Sequence, residues 1–147
     1  MSKVEDFLTT AEEQEIVQAI GLAEKNTSGE IRVHIEKETS IAAIDRAMEV
    51  FRNLNMENTQ ERNGVIIYVA VKSHQFAIYG DQGINEKVAD DFWNCTKDIM
   101  VNHFRNGDFK QGLIEGILNA GEQLKKHFPY QDGDTNELSN EISKGEL

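Results

Sequence analysis

The run Val65-Ile66-Ile67-Tyr68-Val69-Ala70-Val71 constrains this chain more than any other stretch. Alternate residues of a strand point to opposite faces. Val65, Ile67, Val69 and Val71 therefore fall on one side and Ile66, Tyr68 and Ala70 on the other, and both sides are apolar. Such a strand must be covered above and below, which places it centrally in a sheet with helices on each face. A polar break at Lys72-Ser73-His74 follows, and Gln75 to Tyr79 reads as a second strand, so the two form a hairpin. The hairpin runs into Gly80-Asp81-Gln82-Gly83, a glycine-flanked acidic turn.

The flanking segments supply the helices. Thr10-Ala11-Glu12-Glu13 has the form of a capping box, predicting a helix over 11–25 with Ile16, Ala19, Ile20 and Ala23 as its buried stripe. Asn26 to Gly29 stops it. Glu30 to Glu36 then alternates Ile31, Val33 and Ile35 against Arg32, His34 and Glu36, which reads as a half-solvated strand near an edge. Ile44, Ala47, Met48, Phe51 and Leu54 keep helical spacing, and strand, helix, strand implies a parallel pair with a right-handed crossover.

Further on, Ile84, Val88, Phe92, Cys95 and Ile99 mark a third helical stretch, with Asp90-Asp91 splitting off its first turn. Cys95 sits on that apolar stripe and reads as buried filler. Leu113, Ile114, Ile117, Leu118 and Leu124 mark a fourth helix stopped by Pro129. Gly112 and Gly116 each cost that helix roughly 1 kcal/mol relative to alanine, so close approach of another element is expected there.

The fold class is therefore α/β: a small mixed sheet, a parallel crossover pair plus an antiparallel hairpin, sandwiched by about four helices. Residues 1–129 are expected to form a single domain and 130–147 a flexible acidic carboxy-terminal tail. Within that tail Leu138 and Ile142 lie one helical turn apart and offer a docking or partner-binding piece.

Composition narrows the function. The formal charge of -11 argues against nucleic acid, whose binders need a basic face to release counterions, and favours cations instead. No window approaches a membrane span, and Met-Ser-Lys-Val-Glu-Asp lacks the pattern of a signal peptide, so the expected compartment is the cytoplasm. The single cysteine agrees with a reducing environment. His34, His74, His103 and His127 are too scattered for a zinc signature.

With the first two strands parallel and the third antiparallel to the second, Glu30, Asn63 and Asp81 converge on one edge of the sheet. Asp90 and Asp91 follow closely and can fold over the same edge. Glu30, Asp81, Asp90 and Asp91 are the candidate metal ligands, and calcium suits them, since it takes oxygens from carboxylates, exposed carbonyls and water. The plainer alternative makes Asp81 and Asp108 helix caps and Asp90-Asp91 first-turn carboxylates. Arg105 reads as a solvated or ion-paired arginine, with oxyanion binding as the alternative.

Four motifs in order carry a family resemblance: Ser28-Gly29-Glu30-Ile31-Arg32-Val33, Arg62-Asn63-Gly64-Val65-Ile66-Ile67-Tyr68-Val69, Tyr79-Gly80-Asp81-Gln82-Gly83-Ile84, and Phe104-Arg105-Asn106-Gly107-Asp108-Phe109 with Gly112. Together they resemble the landmarks of the TPM domain family, whose members include a thylakoid-lumen protein linked to photosystem II repair and a membrane-bound auxiliary protein of acetylcholine receptors. The resemblance implies an α/β sandwich, often with calcium at an acidic loop cluster. It also implies the two functional expectations. The first is a calcium-binding module that contacts a protein partner through its acidic loop edge. The rival is a metal-assisted acid phosphatase at the same carboxylates, with no catalytic residue assignable.

Overall fold

The computed structural model describes residues 8–59, 61–89, 91–130 and 142–144. In chain order it contains α1 (Thr10–Glu24), β1 (Glu30–Glu36), α2 (Ala43–Asn53), β2 (Gly64–Ala70), β3 (Gln75–Gly80), α3 (Gln82–Asn85), α4 (Asn94–Arg105), α5 (Phe109–Lys125) and β4 (Ser143–Lys144). The sheet order is β3-β2-β1-β4, with β2–β3 antiparallel and the other pairs parallel. The α/β reading and the crossover through α2 hold.

Every residue of β2 is buried, as a strand apolar on both faces requires. On one face Ile31, Val33, Ile35, Val65, Ile67, Val69 and Ile78 pack beneath α1, α4 and α5. On the other, Ile66, Tyr68, Ala70 and Ala77 pack beneath Ala47, Val50 and Phe51 of α2. Three layers result, each sheet face sealing its own apolar cluster.

Thr9 is the N-cap of α1, and its side chain and that of Glu12 complete a capping box. The box sits one residue earlier than Thr10 and Glu13 suggest: Thr9/Glu12 and Thr10/Glu13 have the same capping-box spacing, and the chain uses the first pair. The buried stripe is the expected Ile16, Ala19, Ile20 and Ala23. In α2 the stripe rotates to Ala47, Val50 and Phe51, leaving Ile44 exposed at the first turn.

The third helical stretch is split as expected, into the short α3 and an α4 that begins at Asn94. Two expectations are corrected. β1 lies inside the sheet, between β2 and β4, and its polar face is buried at His34 and Glu36. Cys95 is exposed, because α4 faces its neighbours through Thr96 and Met100, and Cys95 stands one position, about 100° of helix, off that line.

Gly112 and Gly116 do serve close approach. A Cβ on Gly112 would come 2.6 Å from the Phe104 ring, and one on Gly116 would come 2.6 Å from Met100 Cγ. Both neighbours belong to α4, so the two glycines let α4 and α5 meet. Much of the span 130–147 lies outside the described residues. Its Ser143–Lys144 piece is β4, paired parallel to His34 and Ile35 of β1.

Candidate functional site

The edge where β1 and β2 begin and β3 ends is built as the topology dictates. Glu30 pairs with Gly64, the Glu30 amide donates to the Asn63 carbonyl at 3.3 Å, and the Asp81 amide donates to the Gly64 carbonyl at 2.9 Å. Glu30, Asn63 and Asp81 are all buried at this edge, with side chains that water barely reaches. Glu30 and Asp81 thus flank a residue without a side chain.

Asp81 is at once a cap and half of an ion pair. Its Oδ1 accepts the Gln82 amide at 2.7 Å and so caps α3. Arg62 grips the same carboxylate with both arms of its guanidinium, Nε to Oδ2 at 2.9 Å and Nη2 to Oδ1 at 3.1 Å. The two partners differ in exposure: the Asp81 side chain is 3% exposed and that of Arg62 46%. The carboxylate accepts both of these bonds, and its negative charge raises the pKa of Arg62.

The loop that presents Arg62 is fixed from several sides. Arg62 itself sits at φ 52°, in the left-handed region. Its amide donates to the Thr59 carbonyl, the Asn63 amide donates to Thr59 Oγ1, and the Gly83 amide donates to the Arg62 carbonyl at 2.8 Å. Ser28 Oγ donates to Glu61 and accepts from Asn63 Nδ2.

Outside the Arg62–Asp81 pair lies a cleft of about 370 Å³ between the end of α2 and the sheet, walled by Phe51 and Tyr79 and carrying Arg52, Glu57, Arg62 and Asp81. Glu57 Oε2 is buried there without a hydrogen-bond partner. Two features bear on whether a divalent cation fits: a carboxylate oxygen with no hydrogen bond among the described residues, and a guanidinium already acting as a cation on Asp81 and in electrostatic reach of Glu57. Among the described residues, no three His, Cys, Asp or Glu side chains gather where they could hold a metal.

Of the four candidate ligands, Glu30 and Asp81 share the edge. Asp91 is exposed, and its carbonyl accepts the Asn94 amide at the entrance to α4. Asp90 lies outside the described residues. Asp108 stands at the N-cap of α5 without a capping hydrogen bond. Glu57 and Arg62 are the cleft residues that sequence reasoning missed. Only the position of Arg62 immediately before Asn63-Gly64 hints at its place on this edge.

A second polar cluster closes the far end of β1. Glu36 accepts from Arg46 Nε at 2.8 Å and Nη2 at 3.0 Å and from the Tyr68 hydroxyl, and it contacts His34 Nε2 at 3.1 Å. The other nitrogen of His34, Nδ1, is 2.8 Å from Ser143 Oγ of β4, and the imidazole stacks on the Tyr68 ring. Burial pushes the Glu36 carboxyl up, but the hydrogen bonds from Arg46, Tyr68 and His34 outweigh it and hold the pKa at about 2. Burial lowers the pKa of His34 against the opposing pull of Glu36. The cluster sets a carboxylate held in its ionised form against an imidazole whose burial disfavours its charged form, with Arg46, Tyr68 and Ser143 as their partners.

Fold and edge together define a class: a three-layer α/β domain with a buried, ion-paired carboxylate where two parallel strands begin and their antiparallel neighbour ends. Residues 1–123 match the family model described as the TPM domain. The chain belongs to the TPM domain family. It is similar to the BA42 protein from the psychrophilic bacterium Bizionia argentinensis, whose NMR structure superposes with a TM-score of 0.91 at 58% identity over 99% of this chain and 100% of that one. The N-terminal domain of a protein from P. gingivalis shares the fold at a TM-score of 0.68 and 20% identity, over 83% of this chain and 79% of that one. So does the N-terminal domain of the cg2496 protein from Corynebacterium glutamicum, at 0.61 and 12%, over 95% and 81%. No curated protein matches the chain.

Proposed function

We propose that this chain is a TPM module that binds calcium weakly in the Asp81 cleft, in exchange for Arg62, and that presents the same edge to a protein partner. The observation that carries the reading is a buried carboxylate whose counter-charge is half in water. Arg62 regains water when it leaves Asp81, which offsets part of the cost of stripping water from an incoming ion.

Asp81 and Glu57 would hold the ion from within the cleft, two carboxylates with water completing the shell. Calcium accepts such an irregular oxygen set because its shell is large and flexible, and it completes the shell with carbonyls and water. Few carboxylates and a competing arginine put the affinity at the weak end, on the order of 10⁻⁴–10⁻³ M.

The test is thermal denaturation with and without calcium. A ligand that binds only the folded chain stabilises it by RT ln(1 + [L]/Kd), about 2.7 kcal/mol at a hundredfold excess over Kd. Calcium should raise the midpoint and magnesium should raise it less. Asp81→Asn should abolish the response. Arg62→Gln should lower the midpoint of the ion-free protein yet enlarge the calcium response, because the competing cation is gone. A response that survives Asp81→Asn, or shrinks in Arg62→Gln, sinks the proposal.

One feature favours the rival phosphatase reading: Arg52 and Arg62 line the same cleft as Asp81 and offer donors to phosphoryl oxygens. Hydrolysis of a generic phosphomonoester that disappears in both Asp81→Asn and Arg52→Gln would support it.

A further inference from the structure

At the opposite end of β2 and β3 from Asp81, a groove of about 320 Å³ opens between the hairpin turn and the α4–α5 junction. Phe76, Phe104 and Phe109 form its floor. Phe76 meets Phe104 edge to face at 5.3 Å, and Phe104 meets Phe109 at 5.5 Å. Phe104 is pinned from behind, since only the absent side chain of Gly112 leaves room for its ring. The apolar surface is thus held in place before any ligand arrives, and its volume suits a fragment-sized molecule.

The mouth has the opposite character. Arg105 and His74 both line the groove and are exposed, and among the described residues neither has an ion-pair partner. His74 stands at φ 55° in the β2–β3 turn, a left-handed conformation that histidine adopts more readily than most side chains. In a chain of net charge -11, an exposed arginine without an ion pair among the described residues, set beside an aromatic floor, is a place for an anion. Aromatic rings prefer edge-to-face partners, and a guanidinium prefers a carboxylate that it can grip with two donors. One molecule meets both demands: a ring bearing a carboxylate a short distance away.

We infer that this groove binds small aromatic carboxylates, the ring seated among Phe76, Phe104 and Phe109 and the carboxylate turned outward to Arg105 and His74. Its distance from the acidic edge makes the inference independent of calcium.

Amide NMR of the full chain titrated with phenylacetate, and separately with phenylacetamide, tests it. Phenylacetate should give saturable shifts in the millimolar range, confined to residues 69–76 and 101–109. The neutral amide should bind roughly tenfold more weakly, having lost a charge-assisted contact. Arg105→Gln should weaken the acid to the level of the amide and leave the amide unchanged. Val101→Phe, which fills the groove from the α4 side, should block both. Each variant's spectrum reports its own folding. Unsaturable shifts, equal affinity for acid and amide, shifts centred near Arg62, or binding that survives Val101→Phe would each overturn the inference.

Discussion

A Cβ on Gly83 would stand 2.2 Å from the Glu61 carbonyl oxygen and 2.6 Å from that of Arg62. The Arg62 oxygen cannot retreat without losing the bond it accepts from the Gly83 amide, and both oxygens are backbone atoms of one short segment. Gly83→Ala should therefore push the 59–63 loop off α3, cost at least about 2–3 kcal/mol, and loosen the Arg62–Asp81 grip with it. Gly107 is the control. It sits at φ +77° with nothing near its Cβ, so Gly107→Ala carries only backbone strain, roughly 1–2 kcal/mol. Denaturant midpoints of the two variants check the order, and a Gly83→Ala no worse than Gly107→Ala would show that the loop yields. In the sequence, Gly80-Asp81-Gln82-Gly83 is visible as an acidic turn, and the cap role of Asp81 is visible with it. Its partners are not. Arg62 reaches Asp81, and Glu57 reaches the same cleft, through a loop whose shape depends on Thr59 and on left-handed backbone at Asn55 and Arg62, and no periodicity encodes that.

At the scale of elements, β1 shows where pattern reading stops. Strict alternation locates the strand and its apolar face correctly. It says nothing of whether His34 and Glu36 meet water, which depends on Tyr68 across the ladder, Arg46 from α2, and Ser143 from β4. The same burial sets a pH dependence. Glu36 falls from 4.5 to about 2 on folding, so between those values the unfolded chain binds more protons and stability rises with pH. Its contribution is complete above about pH 5 and is lost as pH falls toward 2, a loss on the order of 3 kcal/mol. His34, depressed below 6.5, acts in the same direction and begins to cost stability as pH falls through that value. Arg46 and Arg32 face the cluster and stay charged throughout. Urea midpoints should therefore drop from neutral to acid pH, and Glu36→Gln, less stable at neutral pH, should flatten the lower part of that slope. An unchanged slope in Glu36→Gln would assign acid sensitivity to other carboxylates.

The whole molecule must seal two sheet faces and blunt two sheet edges. The faces are sealed by α1, α4 and α5 on one side and α2 on the other, and that much followed from an apolar β2 and two amphipathic flanks. The edges were less legible, because β4 is two residues long and follows an acidic stretch without period. Short as it is, β4 joins three layers of interaction. Its backbone pairs with His34 and Ile35, Ile142 packs against the main apolar cluster, and Lys144 Nζ reaches Glu13 of α1 at 2.9 Å. Ser143 supplies the contact to His34 Nδ1. A chain ending at Tyr130 loses all of these and leaves the β1 edge open. The two ladder residues, one buried hydrogen bond and a half-buried isoleucine amount to about 1–3 kcal/mol, with the partly exposed ion pair adding little. In a domain of this size that corresponds to a midpoint lower by roughly 2–10 °C. Ser143→Ala in the full chain should recover most of that loss, since it removes one hydrogen bond and keeps the strand. Calorimetry of the three proteins separates the outcomes: a truncated chain as stable as the parent would mean that β4 rests on the sheet without holding it, and a Ser143→Ala as unstable as the truncation would place the entire contribution in the contact with His34.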